Sequence, residues 1–234
     1  MKSLLILLLA LAVPAGAASS PLVDYLYPPE DFALRPPVVR ALPGRSIGDG
    51  ELVDYVAFDG RHHTLTIFRG RFVAILLPDT WMGDAGLSPA RIRSFVDRTD
   101  LLYEHFRELE GREPLGTGLL YVAVLPEGQT CGWGCGWIGA RGIEVADIGR
   151  LNPILWKEIS RDMPVGVVAH EMTHNFDVYE PQLGYLPGHA HAWTDFVTFL
   201  IYDYSRTGQA DDPPEEVVRA WMDKAYRPYV SDPA

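Results

Sequence analysis

His170, Glu171 and His174 form the pattern H-E-x-x-H inside residues 165–176, VGVVAHEMTHNF. On an α-helix, side chains four positions apart stand one above the other, so both imidazoles can reach a single metal ion. Glu171 points beside that ion. Zinc accepts neutral imidazole nitrogen readily, and a site with three protein ligands keeps its fourth position for water. Such a water is acidic enough to act as a nucleophile near neutral pH, and the intervening Glu is placed to take its proton. The expected cofactor is one catalytic Zn2+, held by His170, His174 and a third ligand.

Val165, Val167, Val168, Ala169, Met172 and Phe176 make the segment apolar on nearly every other side, and Glu171 is its only charge before Asp177. A buried helix does not ordinarily carry two histidines and a glutamate without a reason. The bland alternative is a surface helix with incidental histidines. The segment resembles the active-site helix of the zincin metallopeptidases. That resemblance implies an α+β, zincin-like domain: a small mixed sheet with a glycine-rich edge strand, the H-E-x-x-H helix, and a downstream helix bearing the third ligand. It also implies peptide-bond hydrolysis, in which Glu171 takes the proton of the zinc-bound water and then delivers it to the leaving amine.

Zincins differ mainly in the third ligand, and the chain offers three candidates. Glu180 lies six residues after His174, the metzincin spacing, but Asp177 stands where that class has glycine. His189 and His191 lie in the run GHAH. Asp195 stands in the first turn of an expected helix over residues 193–206. Gluzincins bring an acidic ligand from a separate downstream helix. The stretch is similar to the enhancin-like peptidases, where a glutamate precedes a V-T-x-x-x-x-x-Y helix; Val197, Thr198 and Tyr204 match, and Asp195 replaces the glutamate. Asp195 is the expected ligand, with His191 and Glu180 as alternatives. Asp177 shares the histidines' face and could accept a hydrogen bond from a ligating imidazole; a solvated helix-terminal Asp is the alternative. His189, His191 and Tyr202 are candidate donors to an oxyanion.

Several elements are needed to position these residues. Residues 1–18 have the layout of a secretory signal peptide cleaved near Ala17 or Ala18, and the apolar run 4–13 is too short to span a bilayer. A secreted or periplasmic chain without stable membrane insertion is expected. Of the 234 residues, 216 remain after residue 18, enough for one large domain or two small ones. Residues 19–50 are proline-rich and read as an extended strap. Residues 51–234 read as one catalytic domain, expected to be monomeric. A net charge of −11 with no basic cluster argues against nucleic acid and says little about substrate; the zincin resemblance implies a peptide or protein substrate as the expected partner.

Within 51–80, the β-branched and aromatic runs are separated by Asp59-Gly60 and Arg69-Gly70-Arg71 and read as strands joined by tight turns. His62 and His63 fall at the first turn, and a solvent-facing turn is preferred to a metal site. Ser88-Pro89 opens a helix over 88–110 that Gly111 ends. Residues 119–147 hold strands and the run CGWGCGWIGARGIEV. Its glycine alternation resembles the zincin edge strand on which substrate adds as a further strand. A glycine-rich loop that packs tryptophans is the alternative. Trp133 and Trp137 are candidate cleft walls. Cys131 and Cys135, the only cysteines, suit a local disulfide in an exported chain. Residues 215–226 read as a final amphipathic helix. Beside the peptidase stands a second reading, an inactive or non-peptidase zinc-binding protein acting as an extracellular binding module. Retention of Glu171 counts against it.

Overall fold

The computed structural model describes residues 37–83, 87–147, 154–164 and 166–177, together with Thr194, Val197 and Thr198. The segments expected to form the signal peptide (1–18), the strap up to residue 36, most of the 193–206 helix and the 215–226 helix lie outside the described residues.

The frame is a seven-stranded mixed sheet in the order β1-β2-β3-β4-β5-β7-β6. Strands β1 (Val38–Ala41), β2 (Glu51–Val56), β3 (His62–Arg69) and β4 (Val73–Leu77) form an antiparallel meander. β4 then pairs in parallel with β5 (Leu120–Pro126), and β5 with β7 (Ile143–Asp147). The short β6 (Gly134–Gly136) lies antiparallel on the far side of β7 and forms the sheet edge. A parallel pair needs a crossover, and α1 (Pro89–Glu110) supplies it between β4 and β5. Ser88 caps α1 by accepting from Arg91 N–H at 3.3 Å, and Gly111, at φ 68°, ends it in a conformation that favours glycine.

Alternation along β4 divides the core. Val73, Ile75 and Leu77 face the helices, while Ala74 and Leu76 face the opposite side, and all five are buried. The helix side gathers Phe95, Tyr103 and Phe106 of α1 with Leu155 and Ile159 of α2 (Ile154–Arg161) and Met172 and Phe176 of α3 (Val167–Phe176). On the other side Tyr55 of β2 and Glu144 of β7 meet, although three strands separate β2 from β7. The sheet therefore curls. Tyr55 Oη–H donates to Glu144 Oε1 at 2.9 Å, and the Phe58 N–H donates to the same oxygen at 2.7 Å.

Glu144 is 2% exposed, and burial pushes its pKa from 4.5 up to about 7, partly offset by the bonds from Phe58 and Tyr55. Because the folded value is the higher one, the favourable contribution is complete below pH 4.5 and is lost as pH rises through about 7. Gln at this position keeps the Oε1 acceptor but never ionises. Denaturation of wild type and Glu144→Gln at a series of pH values should show the wild type losing up to about 3 kcal/mol relative to the variant between acid and neutral pH. Parallel curves would contradict this account of the buried carboxyl.

The expected zincin-like domain around a small mixed sheet is corrected by this architecture. The sheet has seven strands, against three α-helices among the described residues. The runs in 51–77 pair through β4 into the same sheet as β5 and β7. Part of the strap also pairs, Val38 to Ala41 forming β1 against β2. A second correction concerns His62 and His63, which begin β3 rather than occupying the turn. His62 Nδ1 lies 2.9 Å from Asp54 Oδ1 on the neighbouring strand. Among the described residues no helix is long and apolar enough to cross a membrane.

Candidate active site

α3 carries His170, Glu171 and His174. Its apolar stripe is fixed by Phe176, whose ring stacks on Phe106 at 5.3 Å and meets Tyr103 edge-on at 5.0 Å. Val168, Ala169 and Met172 fill the same core, which turns the histidines to another face. The rings of His170 and His174 have centroids 5.1 Å apart at 81°. Two imidazoles on one tetrahedral zinc, with Zn–N of roughly 2.0–2.1 Å, hold their ring centres about 5 Å apart. The pair therefore fits a shared zinc ion.

A third ligand is not supplied by the described residues, among which no group of three His, Cys, Asp or Glu is gathered for a metal. The candidates Asp195, His191 and Glu180, like His189 and Tyr202, all lie outside them. The described neighbours of Asp195 do reach α3. Thr194 Oγ1 lies 3.3 Å from His174 Nδ1, and Thr198 Oγ1 lies 3.1 Å from Thr173 Oγ1. A hydroxyl on Nδ1 orients the ring and favours ligation through Nε2. Thr194, which sequence reasoning missed, thus occupies a supporting position on His174. Asp177 is 3% exposed rather than solvated, and its N–H closes the helix on the carbonyls of Thr173 and His174.

Glu171 meets the edge strand. Its Oε2 accepts from Gly136 N–H at 2.7 Å. A Cβ on Gly136 would overlap the Glu171 carbonyl, and one on Gly134 would overlap the Glu171 carboxylate and come within 2.6 Å of Val167 Cγ2. The glycines are what allow β6 to lie directly on α3. Glu171 is 8% exposed; burial pushes its pKa up to about 6, while His170 and the Gly136 N–H hold it down. A carboxylate with that value is a competent base near neutral pH.

Beside Glu171 and His174 opens a cleft of about 480 Å³, walled by Trp133, Gly134, Gly136 and Ile138. Cys131 and Cys135 form a disulfide, with Cα atoms 5.6 Å apart, that closes the loop leading into β6. The Ala146 N–H donates to Trp133 O at 2.9 Å and ties that loop to β7. Three residues form an edge strand, Trp137 packs edge-on against Phe58, and Trp133 stands 65% exposed at the cleft. Asn175 Nδ2–H donates to Trp137 O at 3.2 Å, and the Gly139 N–H donates to His174 O at 2.9 Å. These bonds lock the last turn of α3 to the loop after β6. Sequence spacing pointed to neither.

No protein-family profile, curated protein or solved structure matches the chain.

Proposed function

We propose that the chain is an exported zinc-dependent peptidase. The observation that carries this reading is the presentation of Glu171 and His174 to an open cleft by the same helix that sets the His170 and His174 rings 5.1 Å apart. His170 and His174 would hold the ion with Asp195, whose neighbour Thr194 lies against His174. Bound zinc would supply Lewis acidity that activates a water and polarises a carbonyl. Glu171, poised near neutrality, takes the proton of the attacking water and returns it to the leaving amine. Gly136 N–H orients that carboxylate before reaction. Along β6 the backbone groups alternate in direction. Trp133 C=O faces β7 and Gly136 N–H faces Glu171, so Gly134 directs its N–H and C=O away from β7, where an extended peptide could pair. Export is part of the proposal and rests on the layout of residues 1–18 and on the disulfide.

A binding module has one observation in its favour, the exposed Trp133 at the cleft. Elemental analysis tests the metal site, and a peptide-hydrolysis assay on the zinc-loaded chain separates the peptidase from an inactive zinc-binding module. The purified chain should contain one zinc, and Asp195→Ala should lose most of it under the same dialysis. One zinc in both proteins would transfer the third ligand to His191 or Glu180. No zinc after reconstitution would sink the peptidase reading.

A further inference from the structure

α3 begins without a cap of its own. Gly166 flanks it, no side chain of the helix caps it, and no acidic residue stands in its first turn. The first N–H groups of a helix have no partner within it and need an acceptor from elsewhere. That acceptor comes from α2. The Glu158 carboxyl accepts from the Val167 N–H at 2.6 Å, and the N–H groups of Val168 and Gly166 also lower its pKa. Glu158 is 6% exposed, and burial pushes its pKa up to about 8 against those bonds. Gly166 permits the approach, since a Cβ there would come within 2.5 Å of Glu158 Oε1.

The first turn of α3 is also the turn of a candidate ligand. His170 N–H donates to Gly166 O at 3.0 Å, so the hydrogen bond that starts the helix ends on His170. His174 rests on other supports, Thr194 at its ring and Gly139 at its carbonyl. The two imidazoles are thus held from opposite ends of α3.

We propose that Glu158 is a positioning residue of the metal site, capping α3 from outside and thereby keeping His170 in register with His174 for one ion. The proposal rests on the reading of both histidines as zinc ligands. It assigns Glu158 no contact with substrate or metal.

The test compares zinc affinity by competition titration of the full chain in wild type, Glu158→Ala, Glu158→Asp, Glu158→Gln and Asp100→Ala. Asp100 is a matched control, because its carboxylate accepts from the backbone N–H groups of Arg71, Phe72 and Val73 at the β3–β4 turn. Glu158→Ala should weaken zinc binding about tenfold or more, as loss of an outer support typically does. Glu158→Asp, with a shorter reach, should weaken it severalfold and keeps the test decisive if the alanine variant does not fold. Glu158→Gln retains the acceptor oxygen and should stay close to wild type, and Asp100→Ala should not change affinity. Amide exchange of the metal-free protein supplies a readout that does not need zinc. Glu158→Ala should speed exchange about tenfold or more at residues 167–171 and leave residues 174–176 protected. Zinc binding by the wild type with unaffected Glu158 variants overturns the proposal alone, as does an equal loss in Asp100→Ala or unchanged exchange. A wild type that binds no zinc sinks the peptidase reading, and the proposal with it.

Discussion

Replacing Glu171 with Gln is expected to lower peptide hydrolysis by about 10²–10⁴-fold while the zinc content stays at one per chain. The amide has the shape of the carboxylate and can still accept from Gly136 N–H, which in the native protein bonds Oε2 at 2.7 Å. What it lacks is a lone pair basic enough to take a proton from water. Zinc should remain because Glu171 sits beside the imidazole pair and is not counted among its ligands. The same group sets a pH limb. Activity requires the ionised form, so kcat/KM should fall on an acid limb that lies no higher than about 6, the value to which burial raises this carboxyl in the metal-free protein. Bound zinc would draw that limb toward lower pH through its charge. Measuring kcat/KM from acid to neutral pH, with zinc content in parallel, checks both statements. A Glu171→Gln protein that cleaves as well as wild type would exclude this residue as the base.

The second large effect is expected at the two glycines of β6, and the two should fail differently. In Gly136→Ala the new methyl overlaps the backbone carbonyl of Glu171, an atom locked in the ladder of α3. The strand and the helix must part, at a cost of about 1–3 kcal/mol. Hydrolysis should be lost as well, since the Gly136 N–H moves away from the carboxylate. In Gly134→Ala the methyl meets the carboxylate end of Glu171 and Cγ2 of Val167, both ends of side chains. The Glu171 end can turn away, and Val167, stiff at χ1 on a helix, gives at a smaller cost than a backbone carbonyl does, but a turned carboxylate no longer faces the cleft. Urea denaturation and kcat/KM on both variants should therefore show Gly136→Ala impaired in stability and activity, and Gly134→Ala mainly in activity. Wild-type behaviour of Gly136→Ala in both assays would mean that β6 does not lie on α3 as described.

Local features of the chain were readable where their causes are local. The stretch 88–110 carries its own start and stop, and α1 runs Pro89–Glu110 with Ser88 and Gly111 as its caps. The valines around His170 mark a buried helix, and α3 is buried on every described residue from Glu171 to Phe176. Cys131 and Cys135 are four apart, and their disulfide needs no distant partner. The size of the sheet was not readable. Each strand run has its own period-two pattern, but nothing in it states that the meander β1–β4 joins β5 and β7 edge to edge, so a small sheet was expected and a seven-stranded one is found. His62 and His63 were misplaced for a related reason, because Asp59-Gly60 marks a turn without saying where the following strand begins.

The sequence by itself determined that two imidazoles four residues apart share one helix with a carboxylate between them, because helical periodicity is a property of neighbouring residues. Only the tertiary structure decided what surrounds them. Gly136 N–H on Glu171 spans 35 residues, the Thr194 hydroxyl beside His174 spans 20, and the bond that brings Phe58 to Glu144 spans 86. Contacts of that span are set by how the sheet curls and how the helices pack against it, and the residues that make them carry no mark in their own neighbourhood of the chain.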